Sequence, residues 1–60
     1  MKKFKTKFQD EDFDLGEVVD VSLDGNYRKV IAFVNKDGGG NHTFYYKTID
    51  DFYEDFEEVE

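Results

Sequence analysis

The chain lacks cysteine altogether and has a single histidine. Without cysteine no disulfide can form, and one histidine excludes a zinc site of the usual kind, which takes several Cys and His ligands. No apolar run approaches the eighteen or so residues that a membrane span needs. Met1, Lys2 and Lys3 lead into alternating residues instead of the apolar segment of a signal peptide. We therefore expect a cytoplasmic protein that does not contact membranes.

Basic residues are scarce. The chain has 8 Lys and Arg against 15 Asp and Glu, which gives a net charge of −7. Nucleic acids and anionic membranes present phosphate, which such a surface repels. We therefore expect no direct binding to nucleic acid, and a basic protein as the natural partner.

The chain is also short. Sixty residues form a single domain, 1–60, and a domain of this size hides only about 60% of its unfolded surface. Seven Phe and four Tyr can supply a core through aromatic packing. Self-association is a second source of stability for a small domain, so a homodimer is a further expectation.

Four segments have the pattern of β-strands. Residues 3–8 alternate strictly, with Phe4 and Phe8 on one side and lysines on the other. Residues 17–23, 27–35 and 42–47 are the other three. Asp24-Gly25 between the second and third is a two-residue hairpin signal, or part of a slightly longer turn if Asn26 takes part. We expect the lysines of the first strand to lie against acidic residues of the same molecule or to protect a sheet edge.

Two turn segments bear a superficial likeness to ligand sites. Asp10, Asp12 and Asp14 alternate as in a calcium loop, but Leu15 and Val21 stand where that motif has glycine and glutamate. Residues 38–40 are three glycines, but no Lys-Ser/Thr follows them and the next element is a strand, so a phosphate site is not indicated. We expect neither a metal nor a cofactor.

The last segment, residues 48–60, contains seven carboxylates and no base. Its apolar residues recur at helical spacing, and Thr48 is a candidate N-cap with Asp51 three residues later. Acidic residues near the end oppose the helix dipole, and like charges four residues apart each cost about 0.2–0.5 kcal/mol. A solvated face needs charge but not charge of one sign, so this segment is the most informative part of the chain.

The pattern predicts an α+β fold, a small antiparallel sheet of about four strands with one C-terminal acidic amphipathic helix. An SH3-like small barrel is the alternative. The helix is expected to cover apolar strand residues. The residues expected to pack against each other are Ile49, Phe52, Phe56 and Val59 on the helix and Val19, Val21, Ile31, Phe33 and Phe44 on the sheet.

Enzyme activity is not expected. Nucleophilic catalysis needs a nucleophile beside an oriented base, and the only Ser and the only His, Ser22 and His42, both fall on predicted strands. Carboxylates on one open helix face share a single environment, so their pKa values are not driven apart as acid–base catalysis requires.

A helix face of one charge sign can imitate the phosphates of DNA. Side chains at i and i+4 are about 5–6 Å apart, and such a face with aromatic anchors could occupy the basic groove of a nucleic-acid-binding protein. We therefore predict a DNA-mimic inhibitor. The predicted partner-binding residues are Asp50, Asp51, Phe52, Tyr53, Glu54, Asp55, Glu57 and Glu58.

The run from Asp37-Gly38 through residues 42–47, followed by D-F-Y-E at residues 51–54, resembles the hairpin and acidic helix of the small phage-encoded uracil-DNA glycosylase inhibitors. The resemblance covers about the last twenty-four residues and departs from the family in the triple glycine and the basic first strand. It implies a dimeric DNA mimic acting in the cytoplasm of a host cell. It also implies Phe52 and Tyr53 as apolar contacts and Asp51 and Glu54 as phosphate substitutes.

Two other interpretations stay open. The chain could be an SH3-like interaction module that binds a basic segment of a partner in a groove formed by exposed residues among its four tyrosines, Tyr27, Tyr45, Tyr46 and Tyr53. In the third interpretation the charge only keeps an aromatic-rich mini-domain soluble.

Overall fold

The computed structural model describes residues 1–26 and 28–59. Its elements are β1 Lys2–Thr6, β2 Val18–Asn26, β3 Lys29–Lys36, β4 Asn41–Tyr46, α1 Ile49–Asp55 and β5 Phe56–Glu58. The strands form one antiparallel sheet in the order β4-β3-β2-β1-β5. Tyr27, predicted to open the third strand, and Glu60 lie outside the described residues. No helix in the described ranges has the length and apolar character needed to cross a membrane.

An antiparallel sheet with one helix was predicted and is confirmed, but the sheet has five strands where about four were predicted, and the helix does not extend through the C-terminal segment. The helix ends at Asp55, and the chain becomes extended at Phe56, with φ −135° and ψ 141°. Residues 56–58 then pair with β1, with Phe56 opposite Thr6 and Glu57 opposite Lys5. The last described element is therefore a fifth strand. Its pairing sets glutamates beside lysines, whereas a longer helix would have set them at its unfavourable negative end.

The core lies on one face of the sheet, and half of its buried members are aromatic. Phe52 and Phe56 are fully buried, and their rings stack with centroids 5.0 Å apart. Aliphatic side chains of β2 and β3 complete the cluster. Its buried members are Phe4, Phe13, Val19, Val21, Ala32, Val34, Phe52 and Phe56.

The predicted core residues of β3 are wrong by one position. Val30, Ala32 and Val34 are buried, whereas Phe33 is 42% exposed and Ile31 is half-buried on the opposite face. A strand that is apolar on both faces does not specify its own inward side, because a shift of one residue exchanges the two faces. The register with β2 settles the choice, since Val34 lies opposite the buried Val21.

The turn between β2 and β3 is not the predicted two-residue turn at Asp24-Gly25; Asn26 takes part in it, as the alternative prediction had it. Asp24 and Gly25 lie within β2, and the strands remain paired as far as Asn26 and Lys29. The Asn26 side chain accepts a 2.8 Å hydrogen bond from the Arg28 N–H, a local arrangement that favours a turn. Gly25 has φ +153°, and a Cβ there would collide with the Lys29 carbonyl. Glycine is therefore required here because the backbone of β2 is distorted at this position, and not because Gly25 forms the turn.

The sheet is strongly curved. Strands β4 and β5 are its two edges and are separated by four strand spacings, about 19 Å in a flat sheet. The rings of Phe44 on β4 and Phe56 on β5 nevertheless have centroids only 5.7 Å apart. The two edges therefore approach each other around the aromatic core.

The long connection between β1 and β2 is folded against the core by its own side chains. Phe13 is buried, with its ring centroid 4.9 Å from that of His42. The Asp10 carboxylate accepts the N–H groups of Asp12 and Phe13 at 2.8 and 2.9 Å. The Asp10 carboxylate thus stabilises a turn of this loop by binding two of its backbone N–H groups.

Lys36 on β3 fastens the same loop. Its ammonium donates a hydrogen bond to the Asp12 carbonyl oxygen, lies 4.9 Å from the Phe13 ring centroid and is 3.8 Å from the Glu17 carboxylate. Three interactions from one side chain tie the loop to the end of β3.

Candidate protein-binding surface

The helix α1 begins as the sequence predicts. Thr48 is extended, and its side chain accepts a 3.2 Å hydrogen bond from the Asp51 N–H. Asp50 and Asp51 occupy the first turn, where carboxylates are favourable near the positive end of the helix dipole. The N-cap and first turn therefore orient the first two acidic side chains of the predicted binding surface.

Phe52 was predicted to contact a partner, and its position does not fit that role. Its side chain is 0% exposed and packs edge-on against Phe4, with ring centroids 5.2 Å apart. The next residue, Tyr53, is 44% exposed and lies beside both rings. Tyr53 is therefore the aromatic side chain of α1 that reaches the surface.

Asp55 is occupied inside the molecule. Its Oδ2 accepts a 2.8 Å hydrogen bond from the Tyr46 hydroxyl. Partial burial, followed by the hydrogen bond and the charge of Asp55, raises the pKa of Tyr46 well above its usual value. This carboxylate fastens the end of α1 to β4 and is partly buried.

Glu57 and Glu58 are paired with the lysines of β1, as expected for that basic strand. Lys5 Nζ lies 2.9 Å from Glu57, and Lys2 Nζ lies 3.6 Å from Glu58. The hydrogen bond from Lys5, together with its charge, holds the pKa of the Glu57 carboxyl below its usual value. These two carboxylates are exposed, but their charge is largely compensated within the chain.

Three carboxylates of α1 remain: Asp50, Asp51 and Glu54. None of them belongs to an ion pair formed within residues 1–26 and 28–59. Asp50 and Glu54 are exposed, Asp51 is half-buried, and Tyr53 emerges on the same helix. We call these four residues the helix acidic face. It is a smaller patch than the eight residues predicted.

Two clefts adjoin the helix and were not predicted. One, of about 320 Å³, is lined by Met1, Lys2, Leu23, Tyr53 and Glu58, among others. The second, of about 240 Å³, lies between β2 and the start of the helix, where Leu23, Asp24 and Ile49 line it. Leu23 is common to both and is 40% exposed. Both clefts thus adjoin the helix, and each has the apolar side chain of Leu23 and one carboxylate, Glu58 or Asp24, in its lining.

The sequence contained only a weak signal for these clefts. Leu23 continues the alternation of Val19 and Val21, which places it on the same face of the strand but does not indicate a cleft. It lies near the end of β2 and does not belong to the buried core cluster that contains the other two. Met1 and Lys2 reach the same cleft only because β1 pairs with β2 in the observed register.

Two further observations bear on function. Among the side chains described, no group of three His, Asp or Glu residues is placed to hold a metal ion. No protein-family model, curated protein or solved structure matches the chain. The helix acidic face and its clefts are the features from which a function can be argued.

Proposed function

We propose that this chain is a non-enzymatic binding protein that docks its helix acidic face on the basic, nucleic-acid-binding surface of another protein. The observation that carries the proposal is the contrast along one short segment. Glu57 and Glu58 have lysine partners in the chain, whereas Asp50, Asp51 and Glu54 have none among the described residues. Carboxylates without internal counter-ions are the ones that a basic partner can neutralise.

The spacing of these carboxylates supports the role of a DNA mimic. Asp50 and Glu54 are four residues apart on a helix and Asp51 and Glu54 three apart, so each pair lies on one side at about 5–6 Å between Cβ atoms. A protein that binds DNA holds several Lys or Arg side chains at positions that match successive phosphates. Two or three of these could engage the face at once.

Tyr53 supplies an apolar contact at the same place. Its ring packs on Phe52, with centroids 5.2 Å apart, and this holds the exposed part in a defined position. Rigid aromatic side chains are favoured at the centre of protein interfaces. The resemblance to the glycosylase inhibitors implies four contact residues. We keep Tyr53, Asp51 and Glu54 as contacts, whereas Phe52 is buried and belongs to the core.

The test is capture followed by competition. Tagged protein is used to isolate binding partners, and each captured protein is then challenged with duplex DNA and with rising salt. The proposal expects a nucleic-acid-binding protein that DNA displaces, with affinity falling steeply as salt increases. A partner that binds equally well in saturating DNA would refute the decoy.

A second candidate function is favoured by the clefts around Leu23. The curvature that brings Phe44 near Phe56, the long connection between β1 and β2, and a helix before the last strand support an SH3-like small barrel. Exposed apolar side chains beside carboxylates suit an extended segment that carries both Lys or Arg and apolar residues. In this case Tyr53 and Leu23 would form the groove.

One substitution separates the two candidates. Leu23→Asn removes the apolar floor shared by both clefts and leaves every carboxylate of the helix in place. A module that binds a peptide segment would lose affinity by about tenfold or more, whereas docking through the helix acidic face would be almost unchanged. Duplex DNA should compete with docking through the helix acidic face, and it should not compete with the binding of a peptide segment.

A further inference from the structure

Strand β4 is an open edge of the sheet. It pairs with β3 on one side, and its residues make no other backbone hydrogen bond within residues 1–26 and 28–59. None of its six residues is buried, and Tyr45 is 67% exposed. Alternate N–H and C=O groups along this edge are therefore available to another strand.

The edge lacks the features that usually prevent strands of separate molecules from pairing. Protected edges carry charged side chains, proline or bulges, or are very short. Residues 41–46 read N-H-T-F-Y-Y, with no Asp, Glu, Lys, Arg, Pro or Gly, and consist largely of residues that favour strands. The opposite edge, β5, has three residues of which two are glutamates. Pairing is thus open at one edge and discouraged at the other.

From these observations we propose that β4 pairs antiparallel with β4 of a second copy of this chain, joining two five-stranded sheets into one. The arrangement uses the same strand from both molecules, so it is closed by a two-fold axis and stops at two copies. A partner rich in Lys and Arg would gain nothing at an edge without carboxylates. The inference is independent of the function proposed for the helix.

Charge around β4 is complementary to a second copy. Lys47 follows the strand, and Asp37 lies in the turn before it; both are exposed and belong to no ion pair among the described residues. With a two-fold axis near Thr43 or Phe44, the outward faces of the two sheets lie on the same side of the joined sheet. In either register, Lys47 of one copy lies alongside residues 39–41 of the other, next to Asp37. Two such contacts form in each dimer.

Sedimentation measurements on a matched pair of variants test the inference. T43K/Y45K adds two lysines to the outward side of β4, so like charges face each other across the axis. S22K/N35K adds two lysines to the same face of the sheet on β2 and β3, away from the edge. Both variants carry the same net charge. Circular dichroism at low concentration checks that each is folded.

The wild type and S22K/N35K should sediment as dimers, at twice the 7.1 kDa of the chain. T43K/Y45K should raise the dissociation constant about 100-fold or more. A monomeric wild type at millimolar concentration, a T43K/Y45K variant that still dimerises, or equal disruption by both variants would overturn the inference. The last result would mean that the sheet face, and not its edge, associates.

A charge exchange tests the antiparallel arrangement. Lys47→Glu should weaken the dimer, because it places Glu near Asp37 of the other copy. The double variant D37K/K47E should restore wild-type association. If the double variant remains as weak as K47E, the proposed pairing is wrong.

Discussion

Replacing Phe52 by alanine should nearly abolish folding. The side chain is fully buried, and four rings surround it, with centroids at 5.0 Å for Phe56, 5.2 Å for Phe4 and Tyr53, and 5.8 Å for Tyr46. Removing such a ring costs about 3–5 kcal/mol. In a domain of only 60 residues, a single hydrophobic core rarely supplies more than about 3–5 kcal/mol of net stability. The variant should therefore retain little or none of its stability.

Urea unfolding followed by circular dichroism measures this loss, and Tyr53→Ala is the matched control. Tyr53 is the neighbouring ring but is 44% exposed, so its removal should cost about 1 kcal/mol. A loss of less than about 1 kcal/mol for F52A, or a larger loss for Y53A than for F52A, would refute the inward position of Phe52. Either result would mean that the Phe52 side chain is exposed and can contact a partner.

Three further predictions concern local interactions. Thr48→Ala should lower the free energy of unfolding by about 0.5–2 kcal/mol because the cap to the Asp51 N–H is lost, whereas Thr48→Ser should retain it; equal losses for both would exclude the cap. Gly25→Ala should cost more than about 1 kcal/mol in the same assay, since φ is +153° and the added Cβ meets the Lys29 carbonyl; a neutral result would contradict the strand distortion. The raised pKa of Tyr46 means that its contribution is complete below the unfolded value, 10.0, and is lost as pH rises above it. The stability advantage of the wild type over Tyr46→Phe should therefore shrink between about pH 8 and about pH 11. An advantage that does not change would refute the partly buried hydrogen bond to Asp55.

Much of the fold follows from local patterns that the sequence displays. Strict alternation identified β1, and the N-cap at Thr48 is the one predicted from its spacing to Asp51. The sequence alone could not show which face of β3 is inward, because both faces are apolar. Pairing with β2, a contact between distant parts of the chain, decides it.

The end of the helix shows the same limit more clearly. Periodic apolar residues extend to Val59, and they predict a helix that the charges at its end disfavour. Three residues in an extended conformation instead place Glu57 and Glu58 beside Lys5 and Lys2. The lysines of β1 and the carboxylates near the C-terminus are each visible in the sequence. Their register is a tertiary property, and it divides the predicted acidic surface into a paired part and an unpaired part.

A comparison of two double variants tests whether the paired and unpaired carboxylates differ in binding. With a basic protein captured as described above, D51N/E54Q removes two unpaired carboxylates and E57Q/E58Q removes the two that lysines compensate. Both variants change the net charge equally. D51N/E54Q should weaken binding about tenfold or more, while E57Q/E58Q should stay within about threefold of the wild type. Equal losses would show that only total charge matters. A larger loss for E57Q/E58Q would show that the partner contacts Glu57 and Glu58 and not the helix acidic face.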